Sequence, residues 1–511
     1  MLKSDGLSRV TTSLLFVLLF SGATGSAPAA QESPVKPNFV FILADDMRKD
    51  DLKYMPKTQA LLRNAGMQFQ SAFVSTPLCC PSRATILRGQ YAHNSGVWNN
   101  GNNDSPYGGW QAYKDHGYEQ DNLATRLHDA GYRTGLFDKY LNYYDGSTVP
   151  PGWDDWFATF EPGEDQAHYF DYEVNDNGTI KHYGTEENDY ITDVTSKQTQ
   201  QFIGASVAQG KPFFAYVASR APHGVARPAP RDEHTFDGEK APRPPSFNEN
   251  DVSDKPPWIR ALPRLDDTQK AEIDAKYEGR VETLQALDDL VEAVWDKLRS
   301  TGVAGNTYVV FTSDNGFHLG EHRIALSKGQ PYEESVHMPL LIRGPKVQAG
   351  STTRRLTLNT DFFPTFTDLA GIQRPPYVDG RSLRPLLEGS TSTWRTAILL
   401  ERAYYGKSDT WFSGIRTSDG KKYLEYEGGL RELYDLNTDL YELKNSYNAA
   451  TPPKTLAARL QALKTCGADA ALSCRTAEDG QEWFSGSQRS AARGTEPLRT
   501  PAAWPSIHRS A

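Results

Sequence analysis

The sequence predicts an α/β fold, a sandwich of helices about a central, mainly parallel sheet, with a smaller C-terminal α+β subdomain built on an antiparallel sheet. Three observations carry this. Short apolar runs alternate with amphipathic helical segments over several hundred residues, and acidic or amide pairs stand directly behind two of the runs. Beyond Pro375 the pattern changes to short alternating strands. At 511 residues the chain exceeds what one compact core usually holds, so a large domain over 36–375 and a smaller one over 376–475 are expected.

The elements follow in order. Lys3 and Arg9 precede an apolar run from Leu14 to Phe20 and small residues from Ser21 to Ala30, the pattern of an export signal over 1–30. That run is too short to span a bilayer, and no later one is long enough. A secreted or periplasmic protein without stable membrane association is the expectation. Asn38 to Ala44 reads as a buried strand ending in Asp45-Asp46, and residues 57–66 as a helix stopped by Gly66. Leu123 to Ala130 is a helix closed by Gly131, Thr134 to Phe137 a strand leading into Lys139, and Phe213 to Ala218 a strand leading into Pro222-His223.

The proline-rich stretch from Ala226 to Leu265 reads as an irregular excursion, a lid or substrate-shaping loop. From Tyr277 to Arg299 a helix places Val281, Leu284, Leu287, Leu290, Val291, Val294 and Leu298 on one face. Thr307 to Thr312 is then a strand ending in Asp314-Asn315. Ligands of such sheets bind beyond the C-terminal strand ends, where both acidic pairs fall. Ala397 to Leu400, Trp411 to Arg416, Lys422 to Tyr426 and Glu432 to Asp435 predict the antiparallel sheet, with a helix near Leu456 to Leu463 and a mobile tail over 476–511.

The net charge of -9 excludes a general nucleic-acid binder, which needs basic surface to displace counterions. Aromatic residues crowd between Trp98 and Tyr183, as a carbohydrate platform or a packed core edge would require. Of the four cysteines, Cys466 and Cys474 flank a short small-residue segment and fit a local disulfide. Adjacent Cys79 and Cys80 rarely bond each other.

Cys79-Cys80-Pro81-Ser82-Arg83 is the sharpest feature. Pro81 suits the first position of a helix through Leu87, which puts Cys79 beside a helix N-terminus and Arg83 on an anion's oxygens. Asp45, Asp46, Asp314 and Asn315 offer only oxygen ligands, the preference of calcium or magnesium.

This segment and its continuation ATILRGQYAHNSGV resemble the signature of the sulfatases, formylglycine-dependent members of the alkaline-phosphatase-like superfamily. The resemblance extends through NFVFILADD, GLFDKYLN, APHG, TSDNGFHLGEH, DGRSLRPLL and ELYDLNTD, and the cysteine doublet with KYLN is similar to the N-acetylglucosamine-6-sulfatase branch. It implies an alkaline-phosphatase-like sandwich that hydrolyses sulfate esters of sugars or aryl alcohols. It also implies oxidation of Cys79 to formylglycine (3-oxoalanine) by a formylglycine-generating enzyme during maturation, because Pro81 stands two positions on; Cys80 then packs. One calcium ion is implied on Asp45, Asp46, Cys79, Asp314 and Asn315.

By the same resemblance, Arg83, Lys139, His223 and Lys328 are catalytic, with His223 or Lys328 giving the proton to the departing alcohol. The family's glycine before Lys139 is Asp138 here. Where many sulfatases carry a histidine two residues after that lysine, this chain has Leu141 and then Asn142. Asn142 and His318 are candidate pocket residues, and His93 is expected to tie down the segment behind Cys79. Asn103-Asp104-Ser105 and Asn177-Gly178-Thr179 match glycosylation acceptors, relevant to a eukaryotic source, for which a lysosomal location is the counterpart. The rival readings are a phosphodiesterase or phosphonate monoester hydrolase, and a non-catalytic binder of sulfated glycans.

Overall fold

A computed structural model describes residues 36–101, 107–160, 169–390, 392–403, 411–467 and 473–480. The export signal over 1–30, the Asn103 acceptor and the tail beyond 480 lie outside them. The start of that expected tail is not loose: Cys474–Asp479 is a helix whose Glu478 is fully buried.

Along the chain the first strands are β1 (Asn38–Ala44), β2 (Met67–Phe69), β3 (Ala72–Phe73), β4 (Arg133–Lys139), β5 (Asp155–Phe160), β6 (Tyr172–Asp176) and β7 (Thr179–Tyr183). They continue as β8 (Phe213–Ala218), β9 (Thr307–Ser313), β10 (His337–Met338), β11 (Leu340–Arg343), β12 (Ser351–Thr353) and β13 (Thr357–Leu358). Ten of these form one sheet in the order β12-β2-β11-β9-β1-β8-β4-β5-β6-β7. Its centre, β9-β1-β8-β4-β5, is parallel throughout, and the antiparallel pairings lie towards the edges.

β1 shows why the centre forms. Its apolar residues alternate between two cores, with Phe39, Phe41 and Leu43 on one face and Val40, Ile42 and Ala44 on the other. Helices cover both faces. The largest, Asp267–Ser300, buries the predicted apolar stripe but begins ten residues before Tyr277, where Asp266 caps it by accepting the Gln269 N–H at 2.9 Å. The predicted 57–66 helix is instead a single α-turn, Pro56–Thr58, followed by a wider π-type turn, Gln59–Arg63. Gly66 ends it because a Cβ there would lie 2.5 Å from the carbonyl oxygens of Ile342 and Leu62.

The second sheet is antiparallel, β14 (Ala397–Arg402), β15 (Phe412–Thr417), β16 (Lys421–Tyr426) and β17 (Arg431–Asp435) in sequential order, with the helix Lys454–Lys464 packed on it. Cys466 and Cys474 form a disulfide beside that helix. The aromatic crowd is core: Trp110, Tyr113, Tyr140, Tyr144, Trp153 and Trp156 are all buried. The 226–265 excursion is pinned from beneath, since buried Lys255 donates to the carbonyls of Glu442 (2.7 Å) and Leu443 (2.9 Å). No helix among the described residues is long and apolar enough to cross a membrane.

Candidate active site

Four parallel strands deliver the polar groups. Asp45 and Asp46 follow β1, Asp314 and Asn315 follow β9, and the turn after β8 brings His223. Lys139 is the last residue of β4. The helix Cys79–Arg88 points its N-terminus at these strand ends and is buried along its whole length. Cys79, not Pro81, is the first helical residue, and Pro81 is tolerated in the first turn because its missing N–H would have no intrahelical partner there. The free Cys80 N–H donates to Asn100 Oδ1 at 2.9 Å, and Gly89, at φ +67°, ends the helix against Val378 and Phe363.

The side chains converge on one point. Lys328 Nζ lies 2.5 Å from Asp46 Oδ1 and 2.8 Å from Cys79 Sγ, which is 3.4 Å from Asp45 Oδ1. Arg83 Nε donates to Asp314 Oδ2 at 2.8 Å and another guanidinium nitrogen to the Lys139 carbonyl at 3.0 Å; Lys139 Nζ in turn reaches Asp45. His223 Nε2 is 3.7 Å from Asp46 Oδ2. Asn315 Nδ2 donates to Asp46 Oδ1 at 2.6 Å. Lys139 and Lys328 keep 13% and 14% of their side chains exposed against 0% for Arg83 and Asp45, so the cluster opens on its lysine side.

Asn142 and His318 make no hydrogen bond to this cluster among the described residues. Asn142 accepts the Trp110 N–H through its carbonyl, and the buried His318 ring stands edge-on to Tyr332. His93 holds Glu401 through Nδ1 (2.9 Å) and the Cys466 carbonyl through Nε2 (3.0 Å).

Burial works to raise the Asp45 carboxyl, yet Lys139, His223, Arg83 and Lys328 carry it well below the usual carboxylate range. Asp314 goes the other way: burial and then the Asp45 charge push it to about 6. Burial, reinforced by Asp45, lifts the Cys79 thiol well above its ordinary value, so as a cysteine it stays protonated and is a poor nucleophile. His223 is pushed down to about 4, chiefly by burial, with Lys139 and Lys328 adding to it.

Asp45 and Asp46 offer carboxylate oxygens that lie with Cys79 Sγ and a His223 ring nitrogen within 4.8 Å of one another, a grouping able to hold a metal ion. Asp314 adds a carboxylate beside them, its oxygens accepting from the Asp46 N–H and from Arg83, and Asn315 Oδ1 is buried without a hydrogen-bond partner; these oxygen donors suit a hard divalent cation. The charges of three carboxylates and of Arg83, Lys139 and Lys328 cancel, so such a cation leaves the site positive and ready for an anion.

Two supporting residues escaped the sequence reading. Arg280, fully buried on the long helix, donates to the Asp46 carbonyl (2.6 Å) and to the Pro222 carbonyl (3.1 Å), clamping two site loops together. Its signal was an arginine on the apolar face between Tyr277 and Leu284. Asn100, which fixes Cys80, left no local signal.

The sulfatase family pattern matches residues 37–372, which include every residue of this cluster. The chain belongs to the sulfatase family. Residues 320–465 also match the family described as N-sulphoglucosamine sulphohydrolase, C-terminal, so the second sheet of this sulfatase has a family counterpart too. Human N-acetylglucosamine-6-sulfatase is 34% identical over 413 residues, 78% of this chain and 72% of the relative. The extracellular sulfatase SULF-1 homolog of Drosophila melanogaster is 37% identical over 385 residues, 73% of this chain; the match spans only 34% of that longer relative. A solved structure described as a complex with its substrate D-glucosamine-2-N,6-O-disulfate superposes with a TM-score of 0.69 at 25% identity, over 83% of this sulfatase and 97% of that chain. The α/β sandwich with its small antiparallel sheet is therefore the sulfatase fold.

Proposed function

We propose that this sulfatase hydrolyses sulfate esters of sugars, N-acetylglucosamine 6-sulfate being the leading candidate, through formylglycine made from Cys79 and with one calcium ion. The observation that carries the reading is the position of Cys79 at a helix start, with Lys328, Asp45 and Asp46 around its sulfur. The human relative's name and the disulfated glucosamine of the structural neighbour support the sugar. Export, in keeping with the N-terminal pattern and the disulfide, puts the chain where such glycans occur.

Formylglycine at position 79 would supply, as its hydrate, a nucleophilic hydroxyl and a second hydroxyl for the release of sulfate. A calcium ion would be held by Asp45, Asp46, Asp314, Asn315 and position 79 and would supply Lewis acidity. The chain's own residues do the rest. Lys139 and Lys328, on the open side, and Arg83 behind them meet the sulfate oxygens and stabilise the charge that grows there. Arg83 keeps its direction because Asp314 and the Lys139 carbonyl hold the guanidinium from two sides. The proton for the leaving alcohol comes from His223 or Lys328; for His223 the negative charge of the bound sulfate must offset the burial that holds the free imidazole at about 4. A serine or an unmodified thiol at position 79 lacks the second hydroxyl that frees the enzyme.

Parallel assays test this against its rivals. Rates on N-acetylglucosamine 6-sulfate, 4-nitrophenyl sulfate and bis-4-nitrophenyl phosphate are expected to favour the sulfate esters. A faster rate on the phosphodiester would instead assign the site to phosphorus chemistry, and no turnover of any ester by fully matured protein would leave a binding protein.

A further inference from the structure

β4 and β8 lie side by side, in parallel, and deliver Lys139 and His223 from their C-terminal ends. One side chain at that edge touches both deliveries. Asp138 is fully buried and holds φ +81°, a region that glycine enters freely and that other residues avoid, with Asp and Asn the commonest exceptions. This chain therefore accepts backbone strain in order to place a carboxylate.

The carboxylate spans the two strand ends. Its Oδ2 accepts the backbone N–H of Arg220 at 3.0 Å, while Oδ1 accepts Arg220 Nε at 3.2 Å and Thr159 Oγ1 at 3.1 Å. Arg220 completes the triangle by donating to Thr159 Oγ1 at 2.7 Å. The carbonyl of Arg220 then accepts the His223 N–H at 2.7 Å, closing the turn that carries the imidazole. On the other strand, the very next carbonyl after Asp138, that of Lys139, receives Arg83. Arg220 is only 4% exposed, so its charge needs this partner.

We infer that Asp138 and Arg220 form a buried positioning pair, which aligns Lys139 and His223 for the sulfate-ester hydrolysis proposed above. The pair acts through those two residues: it fixes the end of β4 and the turn after β8 as one rigid unit. Misplacing a reacting group by about 1 Å costs on the order of 10²-fold in rate, which sets the scale of the effect.

The test uses the full-length protein and the double variant Asp138→Asn/Arg220→Met, which leaves no buried charge unpaired and so spares the fold. Asp138→Asn alone, which tolerates the same backbone angle, repeats the test should the double variant fail to fold. The expected result is a melting temperature near that of the wild type with kcat on N-acetylglucosamine 6-sulfate lowered on the order of 10-fold or more, and a smaller loss on 4-nitrophenyl sulfate, whose leaving group needs no proton. Unchanged kcat and KM on both esters, with only the melting temperature moved, would overturn the inference. A crystal structure of the variant decides the matter without turnover: His223 withdrawn from its 3.7 Å approach to Asp46 supports the pair, and an unmoved His223 refutes it. Wild-type protein inactive on every sulfate ester would defeat the reading of function, while that crystal structure would still decide the positioning role.

Discussion

Lys328 Nζ stands 2.8 Å from Cys79 Sγ, while the neighbouring Cys80 turns its side chain into the core on the other side of the helix start. The two adjacent cysteines thus occupy unlike environments, and substitution separates them. Cys79→Ser should abolish turnover, because serine offers one hydroxyl where the reaction needs two. Cys80→Ala should retain most of the activity per folded molecule and lose about 1 to 2 kcal/mol of stability to the small cavity. Equal loss of activity in both variants, with folding intact, would show that the wrong cysteine has been assigned.

Asp45→Asn and Asp314→Asn should each lower bound calcium together with activity, since each removes an anionic oxygen from a site of hard donors. Chelation of the wild type should abolish turnover and added calcium restore it. Elemental analysis checks the point: one calcium per chain retained by both variants would remove these residues from the ligand set.

His223→Ala should slow hydrolysis of a sugar 6-sulfate by roughly 10²-fold or more, the usual contribution of a proton donor, and that of 4-nitrophenyl sulfate far less. The sugar alkoxide needs a proton to leave and nitrophenolate does not. Equal losses on both esters with a raised KM would move the acid role to Lys328 and leave His223 holding sulfate.

His93 gives a stability test away from the site. Burial disfavours its charge, but Glu401 at 2.9 Å outweighs burial and raises the imidazole from 6.5 to about 9. The folded form therefore binds the proton more tightly than the unfolded chain. The resulting stabilisation, at most about 3 kcal/mol, is complete below about pH 6.5 and disappears as pH climbs through about 9. Melting curves of wild type and His93→Gln should converge over that window; a constant gap between pH 6 and pH 9 would contradict the charged pair.

Much of this was legible in the chain. β1, β8 and β9 were read to within a residue because strands buried on both faces appear as unbroken apolar runs bounded by polar residues. The same runs located Asp45, Asp46, Asp314 and Asn315, since a strand's end fixes where the next side chains emerge. Less was legible where long-range contacts decide. The first ten residues of the long helix are mostly polar, so only its cap at Asp266 marks its start. The turn at Gln59–Arg63 widens in a place that periodicity does not reveal. Asn142 is a candidate pocket residue by the resemblance around Lys139; what the sequence does not show is that its backbone carbonyl accepts the Trp110 N–H while its buried Oδ1 has no hydrogen-bond partner. Arg280 stands out only as a charge on an apolar helix face, and its carbonyl partners, like the partner of Asn100, are visible only once distant loops meet.

On the proposed reading, Cys79 becomes an aldehyde whose hydrate attacks sulfur. Peptide mass spectrometry of active protein purified from its native source, on the fragment that spans Cys79 to Arg83, reads this conversion. The expected fragment is lighter than the cysteine form by the difference between a thiol-bearing methylene and an aldehyde, with specific activity rising in proportion to the converted fraction. Full activity from protein whose Cys79 is entirely an unmodified thiol would contradict it.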